Sequence, residues 1–470
     1  MSTDLETDYL VIGAGATAMA FVDSLLSESP DTQVLMVDRQ HRPGGHWNDA
    51  YPFVRLHQPD AWYGVASREL SAGTVDETGL NAGFYGLASG GRVLAYFDDV
   101  MQTRFLASGR VRWLPMSECT QDDSGLWRVR SLTSGESRIV TVRKKVVDAT
   151  HARTAVPSTH PPVYTVAPGV ACVPLNRLPA ISRPHAGYTV IGSGKTGMDA
   201  ILWLQENGVP PSRIRWIMPR DAWLLNRTNF QPGLENFERS VGSNIAQLEA
   251  IAAARSVAEL FAMLEARELL LRIDEAVEPT TYRCAVVSPA ELKQLRRVDD
   301  IVRLGRVRAL EPTRIVLDKG SVAADPDTLY IDCSAGAIVQ PPALQAFDGH
   351  RINLLMLRTC QPLFSAAAIA YIESHVDGEA GKNALCTVVP SPERPVDWLR
   401  MWAVSIANAA RWRQQTGLGA WLGQCRLNAI AVFARGVEPG DTARLGLLQA
   451  MGAASAVAAP KLAALLSESA

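Results

Sequence analysis

The chain has 470 residues, of which 47% are hydrophobic and 20% charged, and its formal net charge at pH 7 is -2. These values describe an ordinary soluble globular protein with room for one to three domains. The near-neutral charge gives no indication of a nucleic-acid or anionic-membrane partner.

Residues 8–38 have the pattern of a buried strand, a glycine-rich turn, a helix and a second strand. The turn is a GxGxxA sequence. Gly13 allows the tight turn, Gly15 lets the backbone approach a pyrophosphate, and Ala18 takes the packing role of the third glycine. Asp38 ends the second strand, where an acid can accept hydrogen bonds from ribose hydroxyls.

The next segments complete a first domain. Residues 39–100 are rich in glycine, proline and aromatic side chains, which is typical of a long functional loop region. Alternation and turn signals predict a β-meander over 111–147. A proline-rich connection at 157–184 then predicts an ordered linker between two domains.

A second strand, glycine turn, helix and strand run from residue 188 to 218. Gly192, Gly194 and Gly197 give this turn the full GxGxxG spacing, and Arg220 follows the second strand where the first unit has an acid. Because arginine can clamp a 2′-phosphate with paired hydrogen bonds, this unit favours NADPH over NADH. The alternative is that Arg220 is a solvated surface residue that binds no phosphate.

The remaining pattern predicts a helical insert at 234–272, strands at 301–318 and 329–333, and a mostly helical tail from about residue 397 to 466. The fold class we expect is α/β, with two dinucleotide-binding (Rossmann-like) domains, the meander in the first and the insert in the second. The expected boundaries are 1–180 and 336–395 for an FAD-binding domain, 185–335 for an NADPH-binding domain, and 396–470 for the helical tail.

Two further patterns concern the compartment. The N-terminal residues carry acids without a basic segment, and the most apolar run, 453–466, contains Pro460 and Lys461. We therefore expect neither a signal peptide nor a membrane span, and a cytoplasmic location. The seven cysteines form no CxxC or CxxxxC pair, and the eight histidines have no metal-ligand spacing. This pattern predicts reduced thiols, no metal site and no dithiol–disulfide reductase.

Four segments resemble class B flavoprotein monooxygenases, which include Baeyer–Villiger, flavin-containing and N-hydroxylating enzymes. They are the turn at 13–18, the GGHW-to-His57 stretch at 44–57, the second turn with Arg220 and Trp223, and the strand end at 331–336. Three features depart from the family. The linker lacks its usual fingerprint, the turn after Val147 reads Ala149-Thr150-His151 where the family has ATG, and His57 stands where Baeyer–Villiger enzymes have an aspartate.

The resemblance implies which residues face the cofactors. Arg55 is a candidate for electrostatic stabilisation of a negative flavin. His57 is a candidate proton donor or exchanger near neutral pH, with a structural histidine as the equal alternative. In the family, the helix that corresponds to the one after Gln361 directs its N-terminus at the flavin pyrimidine, and the alternative here is a simple N-terminal cap with proline. The predicted cofactor-binding residues are Gly13, Gly15, Ala16, Ala18, Asp38, Arg39, Gly45, His46, Trp47, Ala149, Gly192, Ser193, Gly194, Lys195, Thr196, Gly197, Arg220, Gln361, Pro362 and Phe364.

The function that follows is an NADPH-dependent FAD monooxygenase. It would insert one oxygen atom of O₂ into a small organic substrate through a C4a-(hydro)peroxyflavin. One alternative is an FAD-dependent oxidase or dehydrogenase that uses NAD(P)H without oxygenating a substrate. Another is a non-catalytic nucleotide-binding sensor. The insert and the tail are candidate surfaces for a substrate pocket or a homodimer, and no nucleic acid or membrane is expected as a partner.

Overall fold

The computed structural model describes residues 4–151, 156–334 and 344–468. The strands within these ranges are β1 (Leu5–Ile12), β2 (Val34–Val37), β3 (Gly64–Val65), β4 (Arg68–Glu69), β5 (Val111–Leu114), β6 (Ser117–Gln121), β7 (Trp127–Ser131), β8 (Ser137–Asp148), β9 (Thr165–Val166), β10 (Cys172–Pro174), β11 (Gly187–Ile191), β12 (Ile214–Ile217), β13 (Ala222–Asn226), β14 (Leu270–Leu271), β15 (Thr281–Val287), β16 (Asp300–Val302), β17 (Val307–Glu311), β18 (Arg314–Leu317), β19 (Gly320–Ala323), β20 (Thr328–Asp332), β21 (Phe347–Asp348) and β22 (Arg351–Asn353). The helices are α1 (Ala16–Glu28), α2 (Gly90–Val100), α3 (Lys195–Glu206), α4 (Phe237–Ala253), α5 (Val257–Ala266), α6 (Pro289–Leu295), α7 (Pro362–His375), α8 (Glu379–Leu385), α9 (Pro395–Gln414), α10 (Thr416–Gln424), α11 (Ala429–Gly436) and α12 (Thr442–Ser467).

The first sheet has the strand order β21-β22-β8-β1-β2-β5, in which β22, β8, β1, β2 and β5 run parallel to one another and β21 is antiparallel to β22. The apolar run in β1 is buried, as expected for a strand covered on both faces. Helix α1 packs against α7 over this sheet. The two carboxyl ends that carry the first glycine turn and Asp38 therefore lie side by side.

The β-meander is confirmed for β6, β7 and β8, which pair in antiparallel succession. Strand β5 lies outside it, because it pairs in parallel with β2 at the edge of the first sheet. Helix α2 and its continuation cross over from the loop region and return the chain parallel to β2, a connection that parallel strands require.

The second sheet, β10-β20-β11-β12-β16, is parallel throughout. After β20 the chain returns to the first sheet, where β21 and β22 extend the edge beyond β8. Two Rossmann-like sheets are thus confirmed as the core of an α/β fold. The predicted crossing at 331–336 is described only to Ser334, because Ala335 and Gly336 lie outside the described residues.

The first part of the insert is helical as predicted, whereas its last residues form a β-strand. Helices α4 and α5 fill its first part, whereas Leu270 and Leu271 form β14, which pairs with β13. The neighbouring β15 completes this three-stranded sheet. The backbone N–H and C=O groups of these apolar residues therefore form hydrogen bonds between strands and not within a helix.

The predicted helical tail is present as α9, α10, α11 and α12. Helix α12 packs against α4 and α9. It continues through Pro460, so the proline does not break the apolar run. Of the helices in the described ranges, α12 alone has the length and apolar composition of a membrane span, and 17% of its most apolar window is buried. Length and composition by themselves do not distinguish a span from a surface helix.

The prediction that all cysteines are reduced is wrong for one pair. Cys284 and Cys360 form a disulfide with their Cα atoms 6.4 Å apart, within the range that disulfide geometry allows. The five remaining cysteines are free thiols. The pair escaped the spacing argument because 76 residues separate the two cysteines along the chain.

Candidate functional site

The first glycine turn joins β1 to α1. Gly13 has a φ of +99°, which strains other residues, and a Cβ placed on it would lie 3.6 Å from the Ala149 side chain. Gly15 is the N-cap of α1 and offers no side-chain cap. The first-turn amides of the helix, which begins at Ala16, are thus available for an anion. Ala18 is buried beneath the turn, as its predicted packing role requires.

The GGHW segment lies directly on this turn. The Gly44 N–H donates to the Ala14 carbonyl at 2.8 Å, and a Cβ on Gly45 would lie 2.9 Å from the Gly15 Cα. Only glycine allows backbones to approach this closely. The next residues stack as His46 on Trp47, with ring centroids 5.5 Å apart. The structure therefore brings the first two predicted segments together.

Trp47 is anchored within the protein. Its Nε1–H donates to the Tyr63 hydroxyl at 2.8 Å, and both side chains are buried. His46 itself is exposed, but desolvation by the protein atoms around its ring lowers its pKa, which keeps that imidazole neutral at physiological pH. This pair forms a rigid wall beside the glycine turn rather than a source of protons.

The Asp38 carboxylate stabilises the first glycine turn through hydrogen bonds within the chain. Its carboxylate accepts the Ala14 N–H at 2.5 Å and the Gln40 N–H at 2.7 Å. Burial raises the pKa of Asp38, although the two amide hydrogen bonds oppose that shift. A carboxylate has about four acceptor positions, so acceptor capacity remains for ribose hydroxyls. The adjacent Arg39 is exposed.

Helix α7 begins beside the same cleft, with Gln361 as its N-cap and Pro362 at the first position. The Gln361 Oε1 atom is buried and, among the described residues, has no hydrogen-bond partner. Such an orphaned acceptor costs free energy unless a ligand donor satisfies it. The Phe364 side chain is buried in the hydrophobic core, where its ring contacts that of Trp412.

Arg358 is a functional candidate that the sequence did not single out. Its guanidinium lies 3.8 Å from the Phe364 ring centroid and donates to the Asn428 side chain at 2.9 Å. Burial lowers its pKa to about 10, and no carboxylate pairs with it within the described ranges. Arg358 is partly exposed, and a cation without a carboxylate partner in the described ranges, next to a helix N-terminus, favours an anionic group there.

The second glycine turn joins β11 to α3. Gly192 has a φ of +127°, and a Cβ on it would lie 2.4 Å from the Cys333 carbonyl oxygen. Gly197 is equally constrained, since its Cβ would lie 2.1 Å from the Gly192 oxygen. Gly194, by contrast, has no atom of the described residues within 4 Å of its Cβ position. The first and third glycines thus serve packing, whereas the second faces open space, as a nucleotide turn requires. Ser193 lies between the first two glycines, and Thr196 lies in the first turn of α3.

Side chains of α3 connect this turn to the loop region of the first sheet. The Lys195 ammonium and the Tyr51 hydroxyl both bond the carboxylate of Asp199. Burial, followed by the charge of Asp199, raises the pKa of Tyr51 well above its ordinary value. The stretch after GGHW therefore spans the distance from one glycine turn to the other.

Arg220 already has an acidic partner. Its Nη2 lies 2.9 Å from Glu393 Oε1, and Arg283 reaches the same oxygen at 3.2 Å. The hydrogen bond from Arg220 lowers the pKa of Glu393, with further contributions from the charges of both arginines. Two cations thus converge at the end of β12 around one carboxylate.

The two predicted catalytic residues lie in different environments. Arg55 has an exposed side chain, and its backbone forms a bridge with Ser89. His57 is partly buried, and its Nδ1 accepts the Val286 N–H at 3.1 Å. This hydrogen bond assigns the neutral imidazole to the tautomer with its proton on Nε2.

Burial lowers the pKa of His57 to about 3, and the charges of Lys195 and Arg227 contribute further. In the protein without cofactor, His57 therefore carries its one ring proton on Nε2 and does not exchange protons near neutral pH. Of the two alternatives for this residue, the structure favours the hydrogen-bonded structural histidine.

The pH dependence of stability tests this assignment. The folded pKa is below the unfolded value, so the stabilisation is complete above about pH 6.5 and is lost as pH falls towards 3. We expect the wild type to lose about 2 kcal/mol more unfolding free energy than His57→Gln between pH 7 and pH 5. Urea denaturation at both pH values measures the difference. Parallel losses in the two proteins would contradict it.

Arg227 holds the His57 loop in place. Its side chain is fully buried, lies 2.8 Å from Glu291 and donates to the His57 carbonyl at 3.1 Å. Glu291 also caps α6 by accepting the Ser288 N–H at 2.7 Å. A buried pair of this kind is costly to break from one side, because the remaining charge is left without a partner.

We expect Arg227→Met to lower the unfolding free energy by about 3–5 kcal/mol. The double variant Arg227→Met/Glu291→Gln should recover part of this loss, since it removes the orphaned charge. Arg255→Met is the matched control, because the Arg255–Glu259 pair is exposed and should change stability by less than about 1 kcal/mol. Chemical denaturation distinguishes these cases. Equal losses for Arg227→Met and Arg255→Met would show that the buried pair is dispensable.

The fold and the two turns define an α/β protein with two Rossmann-like sheets. No family model matches the chain. It is 50% identical over 430 residues to the uncharacterized protein Rv2000 of Mycobacterium tuberculosis (strain ATCC 25618 / H37Rv), a match that covers 91% of this chain and 78% of that protein. The identity and coverage are the same for the uncharacterized protein Mb2023 of Mycobacterium bovis (strain ATCC BAA-935 / AF2122/97). The chain belongs to the same family as these mycobacterial proteins.

Solved structures show a more distant likeness. An open crystal structure of cyclohexanone monooxygenase has 15% identity and a TM-score of 0.47, with 78% of this chain and 88% of that chain covered. A flavin-containing monooxygenase from Stenotrophomonas maltophilia has 15% identity and a TM-score of 0.45, covering 79% and 98%. Bacillithiol disulfide reductase Bdr from Bacillus cereus has 10% identity and a TM-score of 0.43, covering 79% and 100%. Likenesses this distant carry no information on activity.

Proposed function

We propose that the chain is a flavoprotein oxidoreductase that binds FAD at the Gly13 turn and NADPH at the Gly192 turn. The observation that carries this proposal is the loop stretch between the turns. Tyr51 bonds Asp199 on α3, and His57 bonds the β15 backbone, so one segment lies against both nucleotide turns. Two nucleotides that exchange a hydride must bring their reactive rings together, and this segment lies where such rings would meet.

The residues fit the two cofactors. The open face of Gly194 and the cap position of Gly15 leave room for pyrophosphate groups at two helix N-termini. The buried Gln361 oxygen lacks a donor, and the imide N–H of a flavin ring is one. When bound, NADPH supplies a hydride and FAD supplies the electron-accepting and oxygen-activating chemistry.

The chain's own groups would orient and polarise this site. Asp38 would accept ribose hydroxyls, and the N-terminus of α7 together with Arg358 would favour negative charge on the flavin pyrimidine. The proton on His57 Nε2 would form a neutral hydrogen bond to the flavin edge or the substrate. Arg55, exposed in the free chain, would be the mobile cation of the site.

Within this class we propose a monooxygenase that transfers one oxygen atom from O₂ to a small organic substrate. The GGHW-to-His57 stretch supports it, because that segment resembles class B flavoprotein monooxygenases. The domain boundaries given above, a cytoplasmic location, and the absence of nucleic-acid and membrane partners belong to the same proposal. The alternative is a flavin oxidase or dehydrogenase that oxygenates no substrate.

The experiment is an oxygen balance on the purified protein. We expect yellow protein with extractable FAD that oxidises NADPH in air, tested with amine, thioether and ketone panels. A substrate should couple NADPH consumption to an ¹⁸O-labelled product from ¹⁸O₂. Hydrogen peroxide equal to NADPH consumed with every compound would favour the oxidase. Absence of FAD would overturn the proposal altogether.

A further inference from the structure

The Cys284–Cys360 disulfide adjoins two residues that we propose for the flavin site, and it packs against the apolar cluster of Trp223 and Trp398. Cys360 directly precedes Gln361, the helix cap whose buried Oε1 atom has no hydrogen-bond partner within the described part of the chain. Cys284 lies two residues before Val286, whose N–H is bonded by His57. Each half of the disulfide is therefore within two residues of a group assigned to the flavin site.

Both cysteines have an unusual backbone. Their φ angles are +57° for Cys284 and +53° for Cys360, and only two other non-glycine residues in the described ranges, Met116 and Glu268, have a positive φ. Strained residues of this kind concentrate at functional sites.

A bulge in β15 sets the position of Cys284. Trp223 pairs with Tyr282 and Leu225 pairs with Val286, so four steps along β15 match two along β13. The extra residues push Cys284 out of the regular ladder. Bulges are a common means of re-aiming a side chain next to an active site.

The disulfide is also accessible and close to positive charge. Both cysteines are partly exposed, whereas Cys333, Cys386 and Cys425 are buried. Arg283 precedes Cys284 and is exposed, while Cys360 lies just before the N-terminus of α7. Cations and helix N-termini stabilise a thiolate, which is the nucleophile of disulfide exchange.

We propose that Cys284–Cys360 is a redox-active disulfide that takes electrons from NADPH through the flavin and gives the protein a disulfide-reducing activity. This inference rests on the proposed function for its electron source. Two electrons and two protons, one arriving with the NADPH hydride and one from solvent, break the S–S bond into two thiols and leave the flavin oxidised. One thiolate then attacks an external disulfide RSSR, forms a mixed disulfide and releases the first RSH. The second cysteine thiol attacks this mixed disulfide, which re-forms the Cys284–Cys360 bond and releases the second RSH. Net, NADPH, one proton and RSSR become NADP⁺ and two RSH.

Thiol trapping on the anaerobic holoprotein tests the proposal. We expect five alkylatable thiols after denaturation of the oxidised protein and all seven cysteines after incubation with NADPH. Mass spectrometry should assign the two new thiols to Cys284 and Cys360. Dithionite titration should show two electrons per flavin beyond those the flavin takes, as a dithiol couple requires. NADPH should also reduce 5,5′-dithiobis(2-nitrobenzoate), the probe disulfide.

Single variants separate chemistry from folding. Cys284→Ser and Cys360→Ser should each retain FAD and flavin reduction by NADPH, and each should lose the extra electron pair and at least 90% of the probe reduction. Cys119→Ser, a partly exposed free thiol on β6, is the matched control and should behave as wild type. Protein that holds FAD reducible by NADPH but stays at five thiols would overturn this inference alone. Protein without FAD would overturn it together with the proposed function.

Discussion

Gly15→Ala should yield protein that purifies without FAD, whereas Gly194→Ala should stay yellow but lose reduction by NADPH. Each glycine faces the space where a pyrophosphate would lie, so an added methyl group competes with the nucleotide and not with the fold. The nearest atom to a Cβ on Gly15 is the Gly45 Cα at 3.8 Å, and Gly194 has none within 4 Å. We expect each variant to weaken its own nucleotide about 100-fold, or ~2.8 kcal/mol, and the other much less.

Cofactor content, nucleotide titration and thermal denaturation measure this pair of outcomes. The unfolding free energy should change by less than about 1 kcal/mol, since both positions are helix N-caps without a side-chain bond. Gly446→Ala on α12, also free of close atoms, is the control and should bind both nucleotides normally. Loss of both nucleotides from either variant would contradict the assignment of one cofactor to each turn.

Glu393 should control the preference for NADPH, because it occupies the two cations that a 2′-phosphate would use. Removal of Arg220 with Arg220→Ala should weaken NADPH binding about tenfold and leave NADH binding unchanged, since only NADPH carries the extra phosphate. Glu393→Gln should strengthen NADPH binding severalfold by removing a competing anion. The Arg220 and Glu393 side chains are 37% and 44% exposed, so added salt should diminish both effects.

Titrations with both nucleotides at low and high salt decide this prediction. Arg267→Ala removes an exposed arginine of the insert region and serves as the charge-matched control. Equal effects of Arg220→Ala on NADPH and NADH would place Arg220 outside the phosphate site. Unchanged NADPH binding in Glu393→Gln would show that the acid does not compete with the nucleotide.

Local patterns carried most of the correct sequence predictions. A glycine turn with its strand and helix is encoded within about 25 residues, so both turns and the order of their elements were readable in advance. Strand β5 and the end of the insert were assigned wrongly. In both cases the local pattern is compatible with more than one arrangement. The position of β5 in the first sheet is determined by its pairing with β2, and the strand conformation of residues 270–271 by their pairing with β13.

The sequence by itself determined the two Rossmann-like units and the residue types at each turn. Each unit is local, because its strand, glycine turn and helix are formed by residues that are neighbours along the chain. Tertiary structure alone decided which distant groups meet. Arg227 reaches the His57 carbonyl across 170 residues, and Cys284 reaches Cys360 across 76. Spacing rules detect thiols and charges that are close along the chain, whereas burial, ion pairing and disulfide formation depend on distance in space. The structure therefore assigns His57 a neutral imidazole that accepts a backbone hydrogen bond, and it joins two cysteines that were expected to be reduced in a disulfide.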